Sequence, residues 1–438
     1  MNIVIMVAQL ILGLSILVLL HELGHFLAAR AFGIKVEKFY LFFDAWGFKL
    51  FKYKKGDTEY GIGWLPLGGY VKIAGMIDES MDKEALKQPI QPWEFRAKPA
   101  WQRLIVMVGG VTVNLILGFV LFTIIILAFE KEYVPNSAMK NGIYAYELGR
   151  KAGFETGDKI VAINGDKVVR FKDATSVMMI LGSTVTVERN GQTKDITIDS
   201  KFYSEFKASK NKKLFEPLIT EYAIDSILPN KNAENSGVKI GDIPIKINDS
   251  INIDCGNVFT EKINSFKNQN VSLTLLRNKD TLNLNVKTDS NGQIGIAINY
   301  PKFDKVKYTF AQAIYYGCKD AKDMLMMNIK GMGKIFSGQE KATESLSGPI
   351  GIAQIYGGVW DWGKFWFITG LLSLVLAFMN ILPIPALDGG HVVFLLIEAI
   401  TGKKFSDKFM ENVQMVGMVI ILALMAFAFG VDIFKLFK

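Results

Sequence analysis

The sequence predicts a multi-pass α-helical membrane protein with four transmembrane helices, a membrane-associated β-hairpin region and a large inserted α/β part. Three observations predict it. Four apolar runs have the length a bilayer demands. Between the second and third of them, residues 130–301 take on the Asn-, Lys-, Asp- and Gly-rich composition of soluble α/β protein. Within that stretch one sequence pattern recurs. At 438 residues, half of them hydrophobic and with a positive mean hydropathy, the chain has room for several domains.

From Ile3 to Leu20 the chain is apolar apart from Gln9, Gly13 and Ser15, and the pattern continues to about Phe32. The run is too long for a signal peptide and no basic region precedes it, so it is expected to be retained. The other candidate spans are Leu104 to Phe129, Phe365 to about Leu387, and Val413 to about Val431. An even count puts both termini on one side. Arg30, Lys35 and Lys38 follow the first span, Arg96, Lys98 and Arg103 precede the second, and Lys403, Lys404 and Lys408 separate the last two. The positive-inside rule places these loops in the cytosol and residues 130–301 on the opposite face, with Lys435 and Lys438 at the tail weighing against it. The same distribution accounts for the net charge of +8. These cations are dispersed or lie beside spans, so the expected partner is the lipid bilayer and not nucleic acid. Cys255 and Cys318 lack the spacing of a metal site or a disulfide framework.

After the first span, Phe48–Tyr53 and Tyr60–Trp64 read as strands around the turn Lys55-Gly56-Asp57. The stretch from Gly61 to Lys72 is apolar but rich in Gly and Pro, which excludes a helix. It reads as a hairpin either packed on the cytosolic face or offering a strand edge to an extended peptide near the membrane.

The recurring pattern is Gly153-Phe154-Glu155-Thr156-Gly157-Asp158-Lys159-Ile160-Val161-Ala162-Ile163-Asn164-Gly165. It returns as Ser236-Gly237-Val238-Lys239-Ile240-Gly241-Asp242-Ile243-Pro244-Ile245-Lys246-Ile247-Asn248. A Gly-Asp turn feeding a strand that ends in Ile-Asn resembles PDZ domains, so two are expected in tandem. In the second, Pro244 is expected to interrupt the strand. The expected organisation is then a first span at 1–32, the hairpin region at 33–103, a second span at 104–129 and PDZ-like domains at 130–215 and 216–301. An amphipathic surface helix and linker follow at 302–364, a third span at 365–387, a cytosolic loop at 388–412 and the last span with its tail at 413–438. Whether the helix near 310–336 lies on the membrane surface or packs on the spans is left open by its periodicity.

Chemistry concentrates in the first span. Two of the three histidines stand in His21-Glu22-Leu23-Gly24-His25. At a spacing of four on a helix both imidazoles face one way, able to hold one metal ion while Glu22 accepts a proton. An ionisable cluster inside hydrocarbon is costly, so it marks a functional site. A catalytic zinc takes three protein ligands and keeps a position open. The third candidate lies in Asn380-Ile381-Leu382-Pro383-Ile384-Pro385-Ala386-Leu387-Asp388-Gly389-Gly390-His391, where the prolines end the third span. At 1.5 Å per residue, His21 lies roughly 27 Å from the outer start of its helix and Asp388 at most about 35 Å from the start of its own, so they reach similar depth. Spacing alone leaves Asp388 and His391 both open.

Together, His21-Glu22-Leu23-Gly24-His25 and the Asn380–Gly390 segment with Leu387-Asp388-Gly389 resemble the site-2 protease family of intramembrane zinc metalloproteases. The tandem PDZ-like insert, Gly68-Gly69-Tyr70-Val71 and Ser347-Gly348-Pro349-Ile350-Gly351 resemble its bacterial regulator of sigma E protease branch, over nearly the whole chain. The resemblance implies Asp388 rather than His391 as third zinc ligand, with His21 and His25, and Glu22 as the catalytic base. It implies that Asn380, Pro383 and Pro385 contact an unwound substrate helix, and that the hairpin with Gly68 and Gly69 guides it. It also implies single-span membrane protein substrates, such as anti-sigma factors or signal-peptide remnants, a bacterial inner membrane, and an extracytoplasmic PDZ pair acting as a size filter. A catalytically silent PDZ scaffold is the alternative, countered by the intact Glu22 and ligand set. A metal transporter would need polar residues along a pore, whereas the second and fourth spans are almost purely apolar.

Overall fold

Apolar helices in a bilayer need internal hydrogen bonding along their length and capping only at their wet ends. The computed structural model describes residues 2–66, 68–76, 88–209 and 211–437. Among them, four helices are long and apolar enough to cross a membrane. We number the helices of this part α1 (Ile3–Ala31), α2 (Ala100–Ala128), α3 (Phe310–Phe336), α4 (Pro349–Tyr356), α5 (Trp362–Ile381), α6 (Asp388–Thr401) and α7 (Asp407–Leu436). The crossing helices are α1, α2, α5 and α7, and the chain is a multi-pass membrane protein. Asn2, Asp361 and Ser406 cap three of them through their side chains. The third span ends at Ile381 rather than Leu387, because Pro383 cannot continue it.

Chain contacts divide the protein into two units, Met1–Lys131 with Tyr308–Lys438, and Glu132–Lys307. In the first, α2 packs against α1, α3, α5 and α6. The buried stripe of α1 is Met6, Gln9, Gly13, Leu17, Gly24, His25 and Ala29, the three-to-four spacing of one helix face. At its crossing with α2 a Cβ on Gly24 would strike the Gly109 carbonyl. Only glycine lets the backbones come that close.

Four strands follow α1: β1 (Val36–Leu41), β2 (Lys49–Lys55), β3 (Thr58–Gly63) and β4 (Tyr70–Ile73). The expected β2–β3 hairpin is present, but Gly61–Lys72 is not a hairpin of its own. The sheet order is β2-β3-β1-β4, so β1 separates β3, its parallel neighbour, from β4, its antiparallel one. Tyr40 of β1 fills the centre, and a Cβ on Gly61 would collide with its ring. On the helical side, α3 packs on the spans: a Cβ on Gly317 would lie 2.5 Å from Thr123 Cα, and Ala321 is buried with Phe122 and Leu374. Residues 388–401, expected as loop, form α6. Their apolar run is too short to span, and Leu395 buries it against Val106 and Met107 of α2. Arg103 Nη2 donates to Glu398 Oε1 at 2.5 Å, fixing the α6 end to the α2 start.

The second unit holds two β-rich, PDZ-like regions with separate apolar cores, one around Ile160, Val185 and Val187 and one around Ile247, Leu273 and Leu275. The first sheet comprises β5 (Lys159–Ile163), β6 (Asp166–Lys167), β7 (Ser183–Arg189) and β8 (Gln192–Ile198), in the order β8-β7-β5-β6. The second comprises β9 (Ile243–Ile247), β10 (Ile251–Asn252), β11 (Asn270–Arg277) and β12 (Asp280–Lys287), in the order β10-β9-β11-β12. Pro244 lies within β9 at a register break, so the strand continues past it. One clamp occurs in both regions. Asp158, buried at the start of β5, receives Arg189 Nε at 2.7 Å and Nη2 at 2.8 Å, and Asp242 receives Arg277 with the same two distances. The same carboxylates accept the backbone N–H of Glu155 and Lys239. The Asp of the repeated Gly-Asp turn thus locks that turn to the end of a distant strand. Cys255 and Cys318 are free.

Candidate metal centre

A metal site needs lone pairs brought together by elements that cannot back away. His21 and His25 lie one turn apart on α1. Asp388 is the first residue of α6, reached through the turn Leu382–Leu387. That turn is tight: Ala386 has φ of 72°, and Cβ atoms on Gly389 and Gly390 would strike the Leu382 and Ile384 carbonyls. The Asp388 carboxylate points at the histidines.

His21 Nε2, His25 Nε2 and Asp388 Oδ2 form a triangle with sides of 3.2, 3.3 and 3.4 Å. Tetrahedral ligands at about 2.0–2.1 Å from zinc are themselves separated by about 3.3 Å. His25 Nδ1 lies 2.8 Å from the Val106 carbonyl, which can only accept, so the proton sits on Nδ1 and Nε2 carries a lone pair. Asp388 Oδ2 is buried without a hydrogen-bond partner. Electron-rich atoms facing each other at this range need a shared cation, and these three fit zinc. Among the described residues this is the His/Cys/Asp/Glu group so arranged.

The group opens onto a cavity of about 710 Å³ lined also by Glu22, Gly68, Gly69, Asn380 and His391. Glu22 packs against the sheet side, where a Cβ on Gly69 would lie 3.5 Å from its Cγ. Asn380 Nδ2 lies 3.4 Å from His21 Nε2. His391 lines the cavity but is outside the triangle. Pro383 and Pro385 do not line it; the Pro385 backbone instead meets Gly417 of α7.

Two features went unread in the sequence. Asn114 of α2, almost fully buried, places its amide 3.2 Å from His21 Nδ1. A lone Asn in an apolar span was its signal. The sheet also brings Lys38, Asp44 and Tyr70 to the cavity wall, with Tyr70 donating to Asp44 at 2.8 Å. Behind them Glu59 accepts from Lys49 at 2.6 Å and Tyr40 at 2.5 Å, and these bonds, Lys49's foremost, hold its carboxyl down to about 2.

Residues 9–424 match Peptidase family M50. The chain belongs to that family. It is similar over 97% of its length to a putative zinc metalloprotease of Xylella fastidiosa, at 28% identity and 97% coverage of that protein. It is likewise 28% identical to a regulator of sigma E protease of Haemophilus influenzae, covering 97% of this chain and 98% of that one. The regulator of sigma-E protease RseP of Escherichia coli is 26% identical over 98% of both chains. The M50 protein described here is therefore a membrane zinc metalloprotease of the site-2 protease type.

Proposed function

We propose that His21, His25 and Asp388 hold the zinc and that Glu22 is the general base of an endopeptidase that cuts transmembrane segments of single-span proteins. The observation that carries this is the triangle of facing lone pairs at the mouth of a cavity that also contains Glu22. Zinc held by these residues would supply an acidified water and polarisation of the scissile carbonyl. Glu22, next to His21 in the cavity wall, takes the water's proton and returns it to the leaving amine. Asn380 donates its Nδ2–H to the substrate backbone beside the ligands, a bond available only once the substrate helix has unwound. Gly68 and Gly69 present backbone alone on the cavity wall beside Glu22, where that extended segment would lie. Pro383 and Pro385 act at one remove by fixing the turn that delivers Asp388. The apolar spans around the cavity exclude bulk water.

The reading extends to a bacterial inner membrane with the PDZ pair on the extracytoplasmic face, supported by the basic loops at the other ends of the spans. The name regulator of sigma E protease, carried by relatives, supports anti-sigma-factor-like proteins as substrates; remnant signal peptides share the same single-span chemistry. The PDZ pair contains neither the triangle nor Glu22 and acts as a size filter. Two experiments test this. Purified protein should cleave a membrane-spanning reporter and stop when zinc is chelated; cleavage that survives complete zinc removal would refute the mechanism. Deleting 136–299 should leave cleavage of a short single-span substrate intact and raise cleavage of one with a folded outer domain. Unchanged discrimination in a zinc-loaded deletion protein would refute the filter.

A further inference from the structure

The two imidazoles of the triangle are not steadied in the same way, and both supports come from α2. His25 Nδ1 donates to a backbone carbonyl, that of Val106, and no side-chain substitution removes it. His21 has no such carbonyl. Its Nδ1 lies 3.2 Å from Asn114 Nδ2, two turns further along α2. Between the two supports, Gly109 and Gly110 bring the helices together: a Cβ on Gly110 would strike His25 Nε2 and lie 2.6 Å from His21 Cε1. Asn114 is itself immobilised, since its backbone carbonyl accepts from Ser373 Oγ of α5 at 2.6 Å and only 1% of the residue is exposed.

We propose that Asn114 is the positioning residue that makes His21 a metal ligand. The inference rests on His21 being one. An imidazole that gives its Nε2 lone pair to a metal carries its proton on Nδ1, and the atom facing Nδ1 must then accept. The amide oxygen supplies that acceptor: Oδ1 has no hydrogen-bond partner where it stands, and a half-turn of the amide brings it onto Nδ1. With Nδ2 on that side, the amide instead donates to Nδ1 and leaves the proton on Nε2, where it blocks the site. Asn114 thus selects the ligating form of His21, as Val106 does for His25.

The test is the zinc affinity of full-length protein in detergent, by competition with a chromophoric chelator, alongside the thermal stability of the metal-free forms. Asn114→Leu removes the acceptor and should weaken zinc about 10- to 100-fold, the usual effect of losing such a support. Asn114→Asp keeps an acceptor of the same length and should bind zinc at least as tightly as the parent. A purely structural role predicts the opposite order, because a buried carboxylate disturbs an apolar span more than leucine does. In the cobalt-substituted protein, Asn114→Leu should also shift the visible absorption bands, and Asn114→Asp should not. If the leucine variant does not accumulate, Asn114→Ala serves in its place without bulk beside Gly110. Parental zinc affinity in Asn114→Leu, or equal weakening in Asn114→Asp, overturns the proposal. His21→Ala separates the two levels: zinc binding retained there refutes the metal site itself, whereas zinc lost there but kept in Asn114→Leu refutes only the role of Asn114.

Discussion

Each unit of this protein buries a cluster of charged or polar side chains, and the clusters are finished in opposite ways. In the insert, Asp158 and Asp242 are buried, but each meets a guanidinium in two parallel hydrogen bonds and a backbone N–H besides. Those carboxylates are satisfied by their own chain. In the membrane unit, His21, His25 and Asp388 turn their lone pairs on each other, and Asp388 Oδ2 accepts no hydrogen bond. A buried cluster that serves the fold is closed, and one that serves chemistry is left open for what it binds. Substitutions in the two clusters should therefore fail in different currencies, stability in one and turnover in the other.

The largest expected effect is on turnover. Glu22→Gln, which keeps the shape of the side chain and removes its basicity, should lower cleavage by about 10²–10⁴-fold. Zinc content should stay at the parental level, because Glu22 lies outside the triangle. Assaying cleavage and metal on the same preparation checks both halves, and an active variant would contradict the assignment.

Next comes Asp158→Ala, which leaves Arg189 with Glu155 and the Gly153 carbonyl as its remaining partners and should cost the first PDZ-like region about 1.5–3 kcal/mol, seen as early unfolding or as new proteolytic sites. Cleavage of a short single-span substrate should be unaffected. Asp242→Ala should cost a comparable amount: Arg277 loses its carboxylate partner and keeps the Gly237 carbonyl, but at 23% exposure it recovers part of its hydration. If either alanine variant lost zinc, the two clusters would not be independent and the contrast would fail.

How far these clusters could be read in advance follows the same division. His21 and His25 are four residues apart, so their common face needs only helix geometry, and Asp388 is flagged by the prolines that stop its span. The repeated Gly-Asp turns are equally local. Their partners Arg189 and Arg277 lie 31 and 35 residues away, with nothing in a strand-ending arginine to announce its target. Asn114 was hidden for the same reason, since its role exists only where α2 crosses α1. Gly61–Lys72 reads as a hairpin and is not one, because β1, from before the β2–β3 hairpin, inserts between β3 and β4, a long-range pairing that alternation along one segment cannot reveal.

The smallest expected effect is electrostatic. Glu59 titrates near 2 in the folded protein against an ordinary 4.5. A carboxyl depressed by folding contributes stability above its unfolded value and loses that contribution as pH falls toward the folded one. Thermal stability should therefore decline from about pH 4.5 toward 2, and Glu59→Gln should flatten part of that decline. An identical acid limb in the variant would show that the Lys49–Glu59–Tyr40 cluster is not closed in the manner of Asp158.

Metal content decides which residue completes the open cluster. Zinc should be measured in the purified parent, in Asp388→Ala and in His391→Ala, all dialysed against the same weak chelator. About one zinc per chain is expected in the parent and in His391→Ala, with most of it lost from Asp388→Ala. Zinc retained in Asp388→Ala and lost from His391→Ala would contradict the triangle as the metal site.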